Sequence, residues 1–297
     1  VRTIIVFLST LALTSSSLSA YEVGEIVVPT QNIEVKADGL VVFDAAAGAG
    51  LQVLKVEGDR LWVWGSGWID AQDVVSLGSG VEYFTDEIAR RPKSPDLYAA
   101  RGNVWIAKRE FDKAIQDFDQ ALKIAPFEAA WYCGRANAHS EKHDTKLAIS
   151  DYTAAIKLQP DKYCYNSRGF CYLLASDYGN AVADLEKAIE LDRDYLLPTA
   201  NLAYIRACCP DAHYRDGNKA VSLATKACDG DKYLDPENLH VLACANAEKG
   251  DFTAAIRWEK KAIELNPADK ANALKAYSKA LQSFEKSEPF HEMSSLE

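Results

Sequence analysis

Between residues 95 and 195, apolar and small side chains fall at helical spacing and then begin again. Tyr98, Gly102, Trp105, Ala114, Phe118, Ala121 and Pro126 recur as Tyr132, Ala136, His139, Ala148, Tyr152, Ala155 and Pro160. A third set follows as Tyr165, Gly169, Tyr172, Ala181, Leu185 and Ala188, so the period is 34 and then 33 residues. Steps of three and four inside each group place its members on one face of a helix. The polar stretch between the two groups of a set predicts a turn. Each set therefore reads as two helices joined by a turn. One such hairpin cannot bury its apolar stripe alone, so the copies must stack.

The flanking residues follow other rhythms. Residues 21–79 alternate or run apolar at 23–28, 51–56 and 61–64, with Glu57-Gly58-Asp59 as a hairpin turn, which predicts a small all-β barrel. Residues 80–94 match the second helix of a repeat and predict half a unit capping the stack. Beyond 195 the phase continues with an insertion of about five residues near Cys209-Pro210-Asp211, giving units 196–235 and 236–267. An amphipathic helix over 268–286 should close the stack, with 287–297 as a loose tail.

A period of 34 residues with small residues at Gly102, Ala114 and Ala121 and aromatics at Tyr98, Trp105 and Phe118 resembles the tetratricopeptide repeat. On that resemblance the chain is mainly α. Five units, 95–128, 129–161, 162–195, 196–235 and 236–267, form a helix–turn–helix superhelix behind the small β-barrel. The run from Gly58 through Trp68 to Val75 is similar to the last strands of bacterial Src-homology-3-like domains. The fourth unit, with its Cys-Pro-Asp and Tyr-Arg-Asp-Gly runs, resembles a variant repeat of exported bacterial tetratricopeptide proteins. The resemblance implies architecture and leaves the chemistry open.

Composition narrows the partners. The net charge of −10 opposes sequence-independent binding to nucleic acid or anionic membrane, which needs clustered Lys and Arg. One charge at Arg2, an apolar run over residues 4–13 and a small-residue stretch to Ala20 predict a secretory signal peptide cleaved near Ala20, and hence an exported protein of the periplasm or cell envelope. Seven cysteines lack metal-type pairing, and Cys164 and Cys171 sit too far apart along one helix to bond. Most of them read as small core residues rather than a disulfide framework.

Candidate chemistry is sparse. The sequence holds no Gly-rich phosphate loop and no nucleophile elbow, and implies no cofactor or metal. His139 and His143 stand four apart, but the first takes an aromatic core position and the second falls in a turn. The seventh position of the first three units holds Arg101, Arg135 and Arg168, and the twenty-third holds Asp117, Asp151 and Asp184. In the next two units that pair becomes Leu202 with Leu223 and Leu242 with Trp258. Charge matched with charge and apolar with apolar favours ion pairs inside the stack over a ladder gripping an acidic partner. The family's concave-face positions carry Asn103, Asn137, Asn166 and Asn201 with Tyr163, Phe170, Tyr204 and His240. Asparagines that donate and accept beside aromatic rings suit an extended peptide or protein segment. A lysine–asparagine clamp for a C-terminal carboxylate is not matched. On the barrel, Trp62 and Trp64 should face outward opposite Leu61 and Val63; with Trp68 they form either a groove for a peptide or cell-wall glycopeptide or a seat for the first helix. The expected activity is that of a non-enzymatic exported adaptor, with contact to peptidoglycan through the barrel as the alternative.

Overall fold

A computed structural model describes residues 21–37, 40–63, 67–266 and 270–292. The expected signal peptide, Trp64 and Pro267 lie outside the described residues. The chain divides into two compact units, Val1–Ile124 and Ala125–Glu297.

The first unit opens with strands β1 (Ile26–Pro29), β2 (Ile33–Ala37), β3 (Leu40–Ala45), β4 (Leu51–Glu57), β5 (Arg60–Val63), β6 (Gly67–Asp70) and β7 (Val74–Ser76). They form one antiparallel sheet in the order β3-β2-β6-β5-β4-β1-β7. Alternation sets its inner face: Val27, Val35, Leu51, Val53, Leu61 and Val63 are buried together. Helices α1 (Leu77–Arg90), α2 (Pro95–Ala107) and α3 (Phe111–Ile124) follow without a linker, since β7 ends one residue before α1 begins. Ser76 caps α1 by accepting from the Ser79 amide. A second core joins Val28 of β1 to Phe84 and Ile88 of α1 and Leu97, Ala100 and Val104 of α2. Both faces of β1 are thus covered. Gly48 lies at φ 77°, and a Cβ there would stand 1.9 Å from the Ala100 carbonyl oxygen, so only glycine lets this loop meet α2.

The second unit comprises helices α4 (Ala129–Glu141), α5 (Thr145–Leu158), α6 (Lys162–Leu174), α7 (Tyr178–Leu191), α8 (Leu196–Cys208), α9 (Gly217–Gly230), α10 (Pro236–Lys249), α11 (Phe252–Leu265) and α12 (Ala271–Glu285). The described helices number twelve, three in the first unit and nine in the second, and each unit carries helix–turn–helix hairpins of the solenoid type. The turns share one device. Arg109, His143, Ser176 and Gly250, all at the fifteenth position of their units, adopt positive φ between 59° and 92°. In α4 the His143 amide then bonds to Ser140 O and the Asp144 amide to His139 O, satisfying the last carbonyls of the helix. The insertion after α8 is packed rather than loose. Arg215 donates to the Cys209 carbonyl at 2.8 Å and to Glu248 at 3.1 Å, and Arg206 donates to the Tyr214 carbonyl at 3.1 Å.

One expectation needs correction, and the reading of most cysteines as core residues holds with one exception. The chain past residue 286 is seated as far as 292: Phe290 is 4% exposed in the α6–α12 core, and His291 bonds to Glu248 at 2.5 Å. Burial of one large ring holds the segment, whose amphipathic neighbour had masked it in the pattern. Cys133 of α4 and Cys164 of α6 are joined as a disulfide, with Cα atoms 6.4 Å apart. Spacing along one helix could not reveal it, because stacking sets the two cysteines face to face across successive repeats. Cys171, Cys208, Cys209, Cys228 and Cys244 are buried free thiols.

Candidate functional site

The charged pairs are geometrically regular. Arg101 grips Asp117 at 2.8 and 2.7 Å, Arg135 grips Asp151 at 2.7 and 2.8 Å, and Arg168 grips Asp184 at 2.7 and 2.8 Å, each through Nε and Nη2. All three carboxylates are buried, and Arg168 also donates to Thr153 Oγ1 at 2.9 Å. The hydrogen bonds that Arg168 donates to Asp184 hold its guanidinium above its ordinary value. These arginines are committed inside their own hairpins.

The asparagines diverge. Asn103 donates to the Ala47 carbonyl at 2.9 Å, tying α2 to the loop before β4. Asn137 accepts from the Tyr152 hydroxyl at 2.6 Å. Asn201 donates to the buried Asn166 at 3.2 Å, which links α8 to α6. Tyr163 stands exposed with its ring edge-on to Tyr195 at 5.1 Å, and Lys162 lies over both rings. Phe170 packs half-buried on the α6–α12 core.

Asn201 and Tyr204 open onto a pocket of about 850 Å³ between α8, the N-terminal half of α10, and α12. Asp235 caps α10 by accepting from the Glu237 amide at 2.8 Å. Glu237 pairs with Lys270 at 2.8 Å, and the Asp231 carboxylate accepts from Asn238 at 2.6 Å. The inner wall holds His240, stacked on Tyr277 with ring centroids 4.6 Å apart. Behind it lies Glu259, fully buried, with its two oxygens 2.8 and 3.0 Å from His240 Nδ1. Cys244 Sγ is 3.6 Å from His240 Nε2. Burial acts to lower His240, yet Cys244 and Glu259 hold it well above its ordinary value. Burial raises the Glu259 carboxyl against the pull of His240, and it pushes the Cys244 thiol well up. The trio has the residue types of a thiol–imidazole–carboxylate relay. A thiol held protonated and closed off from the pocket is a poor nucleophile, so its chemistry here is structural.

On the β region, Trp62 and Trp68 sit directly opposite on β5 and β6, edge to face at 5.3 Å. Arg60 and Lys55 lie over the Trp68 ring at 5.0 and 5.7 Å. Leu61 and Val63 point into the core from the other face, and the residues of the β region that pack with α1 and α2 are Val28, Ala47 and Val75. Trp62 and Trp68 are therefore not the seat of the first helix. His143 takes the left-handed turn position, whereas His139 faces Asp144 and Asp151 at 3.7 and 4.0 Å. Among the described residues no cluster of three or more His, Cys, Asp or Glu is placed to hold a metal ion.

Residues 95–127 match one model of the tetratricopeptide repeat, and residues 130–162, 163–195 and 236–269 match another. These segments are tetratricopeptide repeats. No curated protein matches the sequence. Among solved structures, YrrB, a tetratricopeptide-repeat protein with an unusual peptide-binding site, is 19% identical, with 67% of this chain and 98% of that one covered and a TM-score of 0.53. PilW, a widely conserved type IV pilus biogenesis factor, is 18% identical, with 71% and 90% covered and a TM-score of 0.55. A tetratricopeptide repeat protein from Parabacteroides merdae is 16% identical, with 71% and 82% covered and a TM-score of 0.56. At these identities the likeness is one of fold.

Within the tetratricopeptide units the residue that departs furthest from its slot is Glu259. It holds the twenty-fourth position, which is Phe118, Tyr152 and Leu185 in the first three repeats. A carboxylate at a core position was the legible signal of a buried partner, and His240 is that partner. Asp235, Glu237, Lys270 and Tyr277 carried no comparable signal, because they converge only when α10 and α12 meet.

Proposed function

We propose that this protein is a non-enzymatic adaptor that binds a peptide or protein segment in the pocket between α8, α10 and α12. The observation that carries this reading is the pocket itself. About 850 Å³ is open beside Asn201, Tyr204 and Tyr277, with apolar walls and a few convergent polar groups, as ligand sites are built. The likeness to YrrB supports it at the level of fold. The test is titration of an immobilised peptide array against the native chain and against a variant with Asn201→Arg and Ala200→Trp, which fills the pocket from α8. Loss of binding is expected, with the helical signal unchanged; retained binding would place the ligand elsewhere.

The amino-terminal segment makes this adaptor an exported one, and fractionation of cells producing the full chain tests that by locating a shortened product. A second reading rests on the Trp62–Trp68 pair at the β surface. In a Src-homology-3-like domain such a pair would tether the protein to peptidoglycan. Sedimentation with purified cell wall, reduced by Trp62→Ala with Trp68→Ala, is the corresponding measurement, and no sedimentation at all removes the reading.

A further inference from the structure

Three carboxylates, Asp231, Asp235 and Glu237, line the pocket against one ammonium, Lys270. On the inner wall His240 faces Glu259 behind it at 2.8 Å, so an imidazolium there would be matched by that carboxylate. The pocket is thus net negative in a chain whose own charge is −10. The rest of its lining is mainly apolar or aromatic, with Asn201, Asn238 and Asn272 as further polar groups. Leu197 on α8 is 52% exposed at its edge, and Tyr204 and Tyr277, each 4% exposed, are among its lining residues. Carboxylates, tyrosine rings and aliphatic wall together are the surroundings of a side chain with an apolar stem and a cationic head. An acidic segment would meet like charge and lose hydration without compensation.

We infer that the pocket between α8, α10 and α12 recognises a polypeptide segment presenting Arg or Lys beside a bulky aliphatic residue. The aliphatic residue lies along Leu197 and the α12 wall, and the cationic head reaches the carboxylates at the start of α10. This rests on the peptide-binding reading above and specifies the ligand's charge. Lys270 holds Glu237 at 2.8 Å, so an entering cation competes with it for that carboxylate.

Isothermal titration with four end-capped hexapeptides in one Gly-Ser frame tests this, their central pairs being Leu-Arg, Leu-Gln, Leu-Glu and Ser-Arg. Leu-Arg should bind tightest, with Leu-Gln weaker by about fivefold, the upper worth of one exposed ion pair. Glu237→Gln should weaken Leu-Arg by a similar factor and leave Leu-Gln unchanged, whereas Lys270→Glu should strengthen Leu-Arg. Both substituted positions are exposed on helix ends, so neither variant threatens the fold. Equal affinity for Leu-Arg and Leu-Glu, both lost in the pocket-filling variant, would overturn the cationic ligand while sparing the peptide site. Leu-Arg binding that ignores Glu237→Gln and Lys270→Glu would overturn it equally. Absence of heat from all four peptides at millimolar concentration would overturn both.

Discussion

Replacing Arg168 and Asp184 separately and together measures what the charged pairs contribute. Asp184 is 6% exposed and the Arg168 side chain 13%, so either partner left alone is a poorly hydrated charge. Removing one member of a buried pair costs about 3–5 kcal/mol, and the residual exposure of the guanidinium puts Arg168→Leu near the lower end. Asp184→Leu strands the guanidinium with Thr153 Oγ1 as its remaining partner at 2.9 Å, which keeps that cost in the same range. The double variant should be within about 1 kcal/mol of the parent, because an apolar pair of similar volume replaces the ion pair without leaving a charge behind. The chain already does this at Leu202 with Leu223 and at Leu242 with Trp258, the same positions of the next two repeats. Thr153 is not orphaned, since it also donates to the Ile149 carbonyl at 2.7 Å. The cycle therefore predicts a coupling energy of roughly 5 kcal/mol. Urea titrations of all four proteins at 222 nm give the three differences, and native-state hydrogen exchange of α6 and α7 guards against partial unfolding of the array. Additivity of the two single costs within about 0.5 kcal/mol would refute the argument. So would a loss of peptide capture in Arg168→Leu without any loss of stability, which would return the arginines to the role of a binding ladder.

Three further outcomes are expected. The Cys133–Cys164 bond closes a span of 31 residues, so Cys133→Ser with Cys164→Ser should cost about 3–4 kcal/mol in oxidising buffer; intact mass and a reductant control check it, and equal stability of parent and variant without reductant counts against the bond. Phe290→Ala should cost about 3 kcal/mol, since a ring with 4% exposure leaves a cavity against His240 and the α6–α12 core; an unchanged melt would mean the tail is not seated. His240 is held above its ordinary value by Cys244 and Glu259 against the opposing effect of burial, so the folded chain keeps a proton that the unfolded chain releases near pH 6.5. The raised Glu259 carboxyl acts in the same sense from about pH 4.5 upward. The resulting stability is full below those values and is lost as pH rises through the folded ones, by at most about 1.4 kcal/mol per pH unit for one proton. Denaturant midpoints between about pH 6 and 8 should slope downward in the parent relative to His240→Gln with Glu259→Gln, and parallel slopes would remove the claim.

How far the sequence carried depended on whether a contact repeats. The Arg and Asp at positions seven and twenty-three changed together between units, so their pairing could be read before any geometry was known. Strand alternation around Leu61 and Val63 was legible for the same reason, and it correctly turned Trp62 outward. Contacts made once leave no such trace. Asn103 sits at a recurrent position, yet its partner is the Ala47 carbonyl, 56 residues away in the chain. Nothing in a periodic pattern specifies that partner. Cys133, Cys164 and Phe290 escaped likewise, because their partners depend on how one repeat lies against the next or on a single ring filling a single hollow.

The charged residues of the fifth repeat connect these two kinds of contact. The first three repeats bury their carboxylate at position twenty-three, opposite an arginine from the first helix. The fifth repeat abandons that pair for Leu242 and Trp258 and instead buries Glu259 one position later, opposite His240 at position five. One residue of helical displacement is about 100° of rotation, which places the buried carboxylate behind His240, the residue that lines the pocket. A core carboxylate is costly to keep, and an apolar residue at Glu259, as in the earlier repeats, would avoid the cost. What the carboxylate supplies is a fixed orientation for His240, held at Nδ1 and stacked on Tyr277, so that the pocket wall keeps one shape. The repeat that departs most from its neighbours in buried charge is therefore the one whose first helix lines the cavity. That coincidence is the reason to test the proposed site in this repeat before any of the residues the repeats share.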